Sequence, residues 1–325
     1  MRKRMRVLVL CGGPSSEHEV SVNTARMVLK NMDKKKYQPS LAVIGRDGKW
    51  KFNSGSQYVF MGKALVTIVS KFDFVFIAMH GAFGEDGRIQ AILESIGVPY
   101  SGSGVLSSAM AMDKSVSNTL YASEGLKVPE YVVLDKYSKN KNINLVLPVV
   151  VKPANGGSSV GVSIVKTKKD LRAAFRKAFK EGSRIIVQKY IKGRELTCGV
   201  IEKNSGELLA LPPIEIVSKI SAFYDYSAKY KTGGSEHIIP AKLSKEKTRK
   251  LKQLSLEAHC MLGCGGMSRS DFILDNSGFY ILETNTIPGM TETSLLPQAA
   301  AVAGINFPSL LDLIISAGVK AGGRK

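Results

Sequence analysis

The sequence predicts a protein of mixed α/β and α+β class, and three patterns support this prediction. The first third alternates short apolar runs with helical periodicity, which is typical of a parallel α/β domain. Further along, two apolar runs flank a glycine-rich turn and precede a helix, which indicates an α+β unit. A hairpin of alternating polar and apolar residues follows. With 325 residues, 44% of them hydrophobic, the chain is long enough for two or three domains with cores.

The first predicted domain covers residues 1 to 112. Its strands are the apolar runs that begin at Val7, Leu41 and Phe72, and their continuous apolar character is that of a parallel sheet buried on both faces. A helix is predicted from the i, i+3, i+4, i+7 spacing of Ile89, Ile92, Leu93 and Ile96.

A central domain is predicted over residues 113 to 195, and a carboxy-terminal domain over residues 196 to 325. The central domain starts with a helix that runs to about Gly125. Strands PVVVKPA and GVSIVK then flank the glycine-serine loop 155–161, and a helix and the strand RIIVQKY follow. The carboxy-terminal domain contains a helix from Ser244 to about Leu262 and then the hairpin.

The hairpin SRSDFILDNSGFYILETN carries the polar residues of greatest chemical interest. Residues 276–278 (Asn-Ser-Gly) are predicted as a three-residue loop with glycine in the left-handed region. Asp275 then pairs with Phe279, and counting back places Asp271 opposite Glu283. Directly opposed side chains have Cβ atoms about 5 Å apart.

Strand parity brings further groups to the same face. Arg269 shares a face with Asp271, and Glu283 shares a face with Asn285. Carboxylate and amide oxygens suit magnesium, and two acids at this separation can bridge a pair of ions. The hairpin therefore predicts a site for two Mg²⁺ ions, with Mn²⁺ as a substitute, at Asp271, Glu283 and Asn285. The alternative is a solvated hairpin face with an ordinary Arg–Asp ion pair.

Two other segments have the character of anion sites. After the hairpin, a turn at residues 288–289 and a helix start at residues 291–294 present the Gly289 amide and the Ser294 hydroxyl. Neither GxxxxGK[ST] nor GxGxxG occurs, so phosphates must be held in another way. Lys152, just before the glycine-serine loop 155–161, predicts a phosphate-binding loop, with a flexible hairpin turn as the alternative.

Charge and cysteine content bound the function further. The formal net charge of +19 raises a nucleic-acid hypothesis, but the basic residues are spread along the chain without interleaved aromatics. We therefore expect no nucleic-acid partner. No run approaches the roughly 20 apolar residues that span a bilayer, and the amino terminus lacks a cleavage site of the secretory type. We expect a cytoplasmic protein without a membrane partner.

The four cysteines are too few for a disulfide framework. Cys260 and Cys264 lie one helical turn apart beside His259, which suggests a zinc site, but no second ligand pair accompanies them. Buried thiols are the favoured interpretation.

The ordered motifs MDKSVSN, VVVKPANGGSSVGV, FYDYSAKY, RSDFIL and LETNTIPGMTETSL, preceded by GGPSSEHEVS and HGAFGEDG, resemble those of the D-alanine:D-alanine ligases of the ATP-grasp superfamily. The resemblance covers nearly the whole chain. It implies a three-domain ATP-grasp fold with a Rossmann-like amino-terminal domain and ATP between the other two domains. It also implies magnesium-dependent joining of two D-alanines through an acyl phosphate for peptidoglycan precursors, and a homodimer.

The same resemblance implies roles for individual residues. ATP contacts fall to Lys114, Lys152, Gln188, Lys189 and Glu195. The residues that bind the amino acids are Glu17, His80, Lys229 and Ser294, with Glu17 on the first ammonium and Ser294 on the second carboxylate. Stabilisation of the tetrahedral intermediate falls to Arg269 and the Gly289 amide, and Ser158 and Tyr230 position closing loops.

Two positions bear on specificity. In the family that the chain resembles, a tyrosine at the place of Tyr230 accompanies dipeptide formation, whereas relatives that make the D-lactate ester carry another residue. Gln188 stands where many members have a glutamate that accepts from the adenine amino group. The alternatives are a D-lactate or other carboxylate–amine ligase, and a basic nucleic-acid-binding protein on a degenerate scaffold of the same fold.

Overall fold

The computed structural model describes residues 3–53, 57–137, 143–218 and 234–322, which form three β-sheets and their helices. The first sheet has the order β3-β2-β1-β4. Its region consists of β1 Met5–Gly12, α1 His18–Asn31, β2 Tyr37–Ile44, β3 Trp50–Phe52, α2 Met61–Lys71, β4 Phe74–Ile77, α3 Arg88–Ser95 and α4 Val105–Met112.

The three strands predicted for the first sheet are confirmed as β1, β2 and β4, which pair in parallel. Strand β1 is fully buried over residues 7–11, as its unbroken apolar run requires. Helix α1 buries one face against the sheet through Ser21, Thr24, Ala25 and Val28. The edge strand β3 runs antiparallel to β2 and was not expected from its three residues. A tight turn returns the chain there, because Gly48 adopts a φ of 79° and the Gly45 amide donates to the Lys49 carbonyl.

The second sheet is antiparallel, with the order β5-β8-β6-β7. Its region consists of α5 Lys114–Ser123, β5 Tyr131–Asp135, β6 Val149–Pro153, β7 Ser163–Val165, a 3-10 turn Lys168–Asp170, α6 Leu171–Ala178 and β8 Arg184–Lys189. The strands that flank the glycine-serine loop are confirmed, and β5 is an additional edge strand.

The third sheet has six strands in the order β12-β11-β9-β13-β14, with β10 paired to β9. Its region consists of β9 Arg194–Glu202, β10 Leu208–Ala210, β11 Ile214–Ser218, β12 Ser235–Ile238, α7 Lys245–Met261, β13 Met267–Asp275, β14 Gly278–Asn285, α8 Leu295–Val302 and α9 Phe307–Gly322. Ser244 caps α7 where the sequence predicted a helix start, because its side chain accepts from the Lys247 amide.

Helix α5 connects the second and third sheets. Its buried Tyr121 donates a hydrogen bond of 2.7 Å to Thr284 of β14, and Tyr121 belongs to the core shared by β9, β13, β14 and α7. At its start, the Lys114 amide donates to the Ala154 carbonyl at the end of β6. The predicted boundaries at residues 112/113 and 195/196 stay predictions, while α5 itself packs on the third sheet.

The hairpin formed by β13 and β14, which carries the predicted metal site, has a tighter turn than the sequence predicted. Asp275 pairs with Gly278 rather than Phe279, so the predicted three-residue loop is wrong. The register then shifts by one between Asp271 and Phe272, because Leu282 forms a β-bulge in β14. The bulge restores the predicted opposition of Asp271 and Glu283.

The carboxy-terminal helices close the core of the first sheet. Leu310, Leu311 and Ile314 of α9 are fully buried in the same cluster as β1 and β4. Gly318 allows the close approach, because an added Cβ would lie 2.3 Å from the Tyr100 carbonyl oxygen. Among the described helices, none alone has both the length and the apolar character to cross a bilayer; α8 and α9 reach both only as a pair, which is bent by 107°.

We expect Gly318→Ala to destabilise the protein by about 2 kcal/mol, because the methyl group meets backbone and the Phe74 ring rather than a flexible side chain. The matched control is Gly62→Ala in exposed α2, where an added Cβ meets nothing within 4 Å. That control is expected to be neutral or to stabilise by about 0.5 kcal/mol. Chemical denaturation measures both variants, and equal midpoints would contradict the proposed packing.

Candidate functional site

A cleft that holds about 1050 Å³ of open space separates the second sheet from the third. Charged side chains from both sheets lie at one end: Lys114, Lys152, Asp271 and Glu283. The remainder is largely apolar and is lined by Val150, Val162, Tyr190, Ile191, Ile273 and Leu282, with the polar Gln188 and Glu195 among them.

Strand pairing in the second sheet explains how β6 and β8 line the cleft. Lys152 and Val150 are two residues apart on β6 and therefore share a face. Gln188 of β8 is paired directly with Val150, so it lies on that face too. Burial and then the nearby Lys114 lower the pKa of Lys152 to about 8, whereas Glu283 acts in the opposite direction. A buried lysine ammonium in such a cleft gains most when it binds an anion.

Lys114 is held at the charged end of the cleft by two contacts of its side chain. Its Nζ lies 3.1 Å from Oε2 of Glu283 and donates a hydrogen bond of 2.6 Å to the Gly156 carbonyl. The backbone around it is fixed by Asp113, which caps α5 by accepting from the Ser115 amide. Lys114 thereby joins α5, the glycine-serine loop and the hairpin.

Asp271 lies at the centre of the hairpin face. Arg269 donates to both of its carboxylate oxygens, at 3.0 Å each, and Thr197 donates to Oδ1 at 2.6 Å. Asn285 pairs with Arg269 across the hairpin and approaches Asp271 Oδ2 at 3.4 Å. The predicted convergence of two acids, an amide and an arginine is therefore what the strand register produces.

The donor set fits magnesium better than a transition metal. Asp271, Glu283 and Asn285 offer oxygen ligands, and Mg²⁺ completes such a partial set with waters and nucleotide phosphates. Among the described residues, no group of three or more His, Cys, Asp or Glu side chains is arranged to hold a metal ion. The magnesium assignment therefore rests on two carboxylates with an amide, and it stays a prediction.

A smaller pocket opens beside the charged end of the cleft. Both cavities share Lys114, Glu283 and the loop residues 156–157 in their walls. The smaller pocket is also lined by Glu85, Asn285 and Thr286. A molecule in this pocket would therefore meet the end of one bound in the cleft.

Glu17 and Ser158 connect the first sheet region to the glycine-serine loop. Glu17 is buried at the start of α1, and the Ser158 hydroxyl donates to its Oε1. The other oxygen, Oε2, packs against Gly81 and Gly157 so closely that a Cβ on either glycine would lie within 3.3 Å of it. Ser158 has a φ of 52°, a left-handed conformation that is unusual for a residue with a side chain.

His80 is buried behind Glu17. One ring nitrogen lies 2.8 Å from the Thr24 hydroxyl. Burial lowers the pKa of His80, and the Glu17 carboxylate opposes this effect. The imidazole is therefore a neutral hydrogen-bonding group that supports the wall of the site.

Glu85 belongs to this site, although sequence reasoning did not single it out. Its Oε2 accepts from the Gly81 amide at 2.5 Å. Burial and then the Glu17 carboxylate raise its pKa to about 8, whereas the Gly81 amide and Arg269 act in the opposite direction. The motif HGAFGEDG, in which Glu85 lies five residues after His80, was the available signal.

Ser294 and Gly289 lie next to each other beyond the hairpin. A Cβ on Gly289 would be 2.9 Å from Ser294 Oγ. Ser294 precedes α8 as predicted, but its hydroxyl makes no cap for that helix. Instead it accepts from the Thr291 amide at 2.9 Å and contacts the Thr291 hydroxyl at 2.7 Å.

Some predicted site residues lie elsewhere. Lys189 is exposed at the end of β8, outside the lining of the cleft. Lys229 and Tyr230 fall outside the described residues. The expectation of buried thiols is wrong for Cys260, which is exposed, and Cys264 is only partly buried.

Comparisons with known proteins agree with this geometry. The family model described as "D-ala D-ala ligase N-terminus" matches residues 6–103, and "D-ala D-ala ligase C-terminus" matches residues 120–316. The chain is 43% identical over 319 residues to the D-alanine--D-alanine ligase of Syntrophobacter fumaroxidans, an alignment that covers 96% of this chain and 97% of that protein.

Two solved structures are also similar. The D-alanine--D-alanine ligase of Bacillus anthracis complexed with ATP is 33% identical, with a TM-score of 0.82 and coverage of 98% of this chain and 99% of that one. The VanG D-Ala:D-Ser ligase of Enterococcus faecalis is 31% identical, with a TM-score of 0.85 and coverage of 97% and 99%. The chain belongs to the D-alanine–D-alanine ligase family.

Proposed function

We propose that the protein joins two D-alanine molecules with the hydrolysis of ATP to ADP and phosphate, in the synthesis of peptidoglycan precursors. The observation that carries this proposal is the junction of the two cavities at Lys114 and Glu283. There the terminal phosphate of a nucleotide in the cleft faces a carboxylate substrate in the smaller pocket. Family membership supplies the identity of the reaction and of the amino acid.

The chemistry proceeds in two steps. The carboxylate of the first D-alanine attacks the γ-phosphate of ATP, which gives an acyl phosphate and ADP. The amine of the second D-alanine then attacks the acyl carbon, loses a proton and displaces phosphate. Positioning and charge neutralisation supply most of the acceleration in such a transfer.

Residues of both cavities divide this work. Lys114 and Lys152 bind the phosphates, and Gln188 and Glu195 are assigned to the base and ribose. Lys189, which the sequence also predicted there, lies outside the cleft lining and takes no part in this assignment. Magnesium, held by Asp271, Glu283 and Asn285, would neutralise charge on the transferring group. Arg269 is a permanently charged group beside the transferring phosphoryl group and would neutralise its charge too.

On the amino-acid side, we assign Glu17 to the ammonium of the first substrate and Ser294 to the carboxylate of the second. His80 lies against the Glu17 site. We also assign Lys229 to substrate binding and Tyr230 to loop positioning, although both fall outside the described residues. Arg269 and the Gly289 amide receive the oxyanion of the tetrahedral intermediate. Ser158 holds the glycine-serine loop over the site, which excludes water from the acyl phosphate.

A homodimer and a cytoplasmic location complete the proposal. Exposed apolar side chains on and before α2, at Phe60, Met61, Val66 and Val69, support a contact with a second copy. Sedimentation velocity decides between monomer and dimer. All four cysteines are unpaired, which agrees with a reducing compartment.

Phosphate release with single amino acids tests the substrate assignment. We expect release with ATP, Mg²⁺ and D-alanine, and none above background with L-alanine. Because the chain is similar to a D-Ala:D-Ser ligase as well, D-alanine is also tested together with D-serine or D-lactate, and the products are separated by mass. A mixed product in excess of D-alanyl-D-alanine would replace our substrate assignment with that alternative.

Asp271→Asn tests the hairpin as the chemical centre. We expect turnover to fall about 100-fold or more, since removing the charge weakens both the metal ligand and the partner of Arg269. The matched control is Asp275→Asn at the exposed turn of the same hairpin, which should retain turnover. A fully active Asp271→Asn variant, with a salt-sensitive nucleic-acid complex, would support the degenerate-scaffold alternative.

The pKa of Lys152 predicts how ATP binding depends on pH. The ammonium form binds phosphates, and with a pKa of about 8 it is lost as the pH rises through 8. Affinity for ATP should therefore be constant below pH 7 and fall about fivefold from pH 8 to pH 9. Binding near pH 8 should also take up protons, because bound phosphates raise the pKa of the lysine.

Titration calorimetry in two buffers of different ionisation enthalpy measures this uptake. Lys152→Met should abolish it, whereas Lys63→Met on exposed α2 should not. Equal heats in the two buffers for the unmodified protein would exclude this role of Lys152.

A further inference from the structure

Gln188 is a buried polar side chain at the apolar end of the nucleotide cleft. Only 5% of it is exposed, and its pairing with Val150 places it on the cleft-facing side of the sheet. Tyr190 and Ile191 follow it in the wall. A polar group at such a place selects among ligands, because a ligand that leaves it unpaired loses affinity.

No recorded hydrogen bond fixes the orientation of the Gln188 carboxamide in the part of the chain that the structure describes. Within the described ranges, the structure records no hydrogen bond to this side chain. Gln188 lines the cleft, and neither atom of its amide group is among the buried polar atoms without a partner. A carboxamide presents an acceptor oxygen on one side and an NH₂ donor on the other. Because no hydrogen bond from a described residue fixes which side faces the cleft, a half-turn would change Gln188 from an acceptor into a donor.

The direction of a bound nucleotide follows from the charges. Its phosphates belong at Lys114 and Lys152, so the base extends into the apolar part. The edge of a purine that lies farthest from the sugar carries the substituent at position 6. This substituent is an amino donor in adenine and an oxo acceptor in hypoxanthine and guanine, and Gln188 can pair with either.

We propose that the site takes 6-oxopurine nucleoside triphosphates as phosphoryl donors beside ATP, and that Gln188 determines this breadth. The inference rests on the proposed function of the cleft as the ATP site. With ITP, the γ-phosphate passes to the D-alanine carboxylate and IDP leaves; the second D-alanine then displaces phosphate as before. The products are dipeptide, IDP and phosphate.

A carboxylate at this position predicts a different selectivity. Glutamate would still accept from the adenine amino group, but its charge would repel the 6-oxo oxygen and leave both groups unpaired. Gln188→Glu should therefore retain ATP and discriminate against ITP. Gln188→Met keeps the volume without either hydrogen bond, so it should weaken both nucleotides by similar factors.

The experiment compares the dissociation constants of ATP and ITP with Mg²⁺ by titration calorimetry, for the unmodified protein and both variants. ITP is the probe because it differs from ATP only at the base edge that carries position 6. We expect the unmodified protein to bind ITP within about tenfold of ATP, and Gln188→Glu to raise this ratio at least about fivefold. Gln188→Met should leave the ratio near that of the unmodified protein.

A dissociation constant for ITP more than about tenfold above that for ATP, in the unmodified protein, would overturn the proposal. If Gln188→Glu raises the ratio of the ITP and ATP dissociation constants by less than about fivefold, Gln188 does not determine the breadth of nucleotide binding. Binding is measured without D-alanine, so the result does not depend on turnover. Phosphate release with D-alanine and each nucleotide is measured separately: its absence with ATP would contradict the proposed function, whereas its absence with ITP alone would contradict only this inference.

Discussion

The site depends on the position of Lys114. Its backbone amide is bonded to the end of β6, its side chain bridges the glycine-serine loop and Glu283, and its helix packs on the third sheet. A lysine that is 7% exposed loses most of its hydration, and its contacts with the Glu283 carboxylate and the Gly156 carbonyl offset that cost. The same ion pair therefore joins the two walls of the cleft and marks the point where the two cavities meet.

The charges around this point are arranged to receive an anion. Burial and then the nearby Lys114 disfavour the charged form of Lys152. The carboxylates of Asp271 and Glu283 each have a cationic partner, Arg269 and Lys114. On the proposed function, polyphosphate with a divalent cation would bring both signs of charge to this cluster. Each of these groups could then exchange a partner without being left unpaired in a region of low dielectric.

Much of this arrangement could be predicted from the sequence, because it follows from periodicity. The parallel strands β1, β2 and β4 were visible as apolar runs, and the face shared by Arg269 and Asp271 was visible as parity. Elements and residues that lack a regular hydrophobic pattern could not be predicted in this way. Strands β3 and β5 are short edge strands with one buried residue each, Trp50 and Leu134, and Glu85 follows a turn rather than a regular element. The side chain of Lys189 points away from the cleft lining although its neighbour Gln188 lies within it, as alternation along a strand requires.

The β-bulge at Leu282 separates the turn of the hairpin from the acid pair that it supports. Asp271 is held on its other side by β9, where it pairs with Thr197. Pairing with the interior strand β9 thus fixes the register of Asp271. The bulge accommodates Leu282, the one extra residue of β14 between the acid pair and the turn. Over evolution the turn can lengthen or shorten by one residue, with a bulge gained or lost in compensation, while the acids stay opposed.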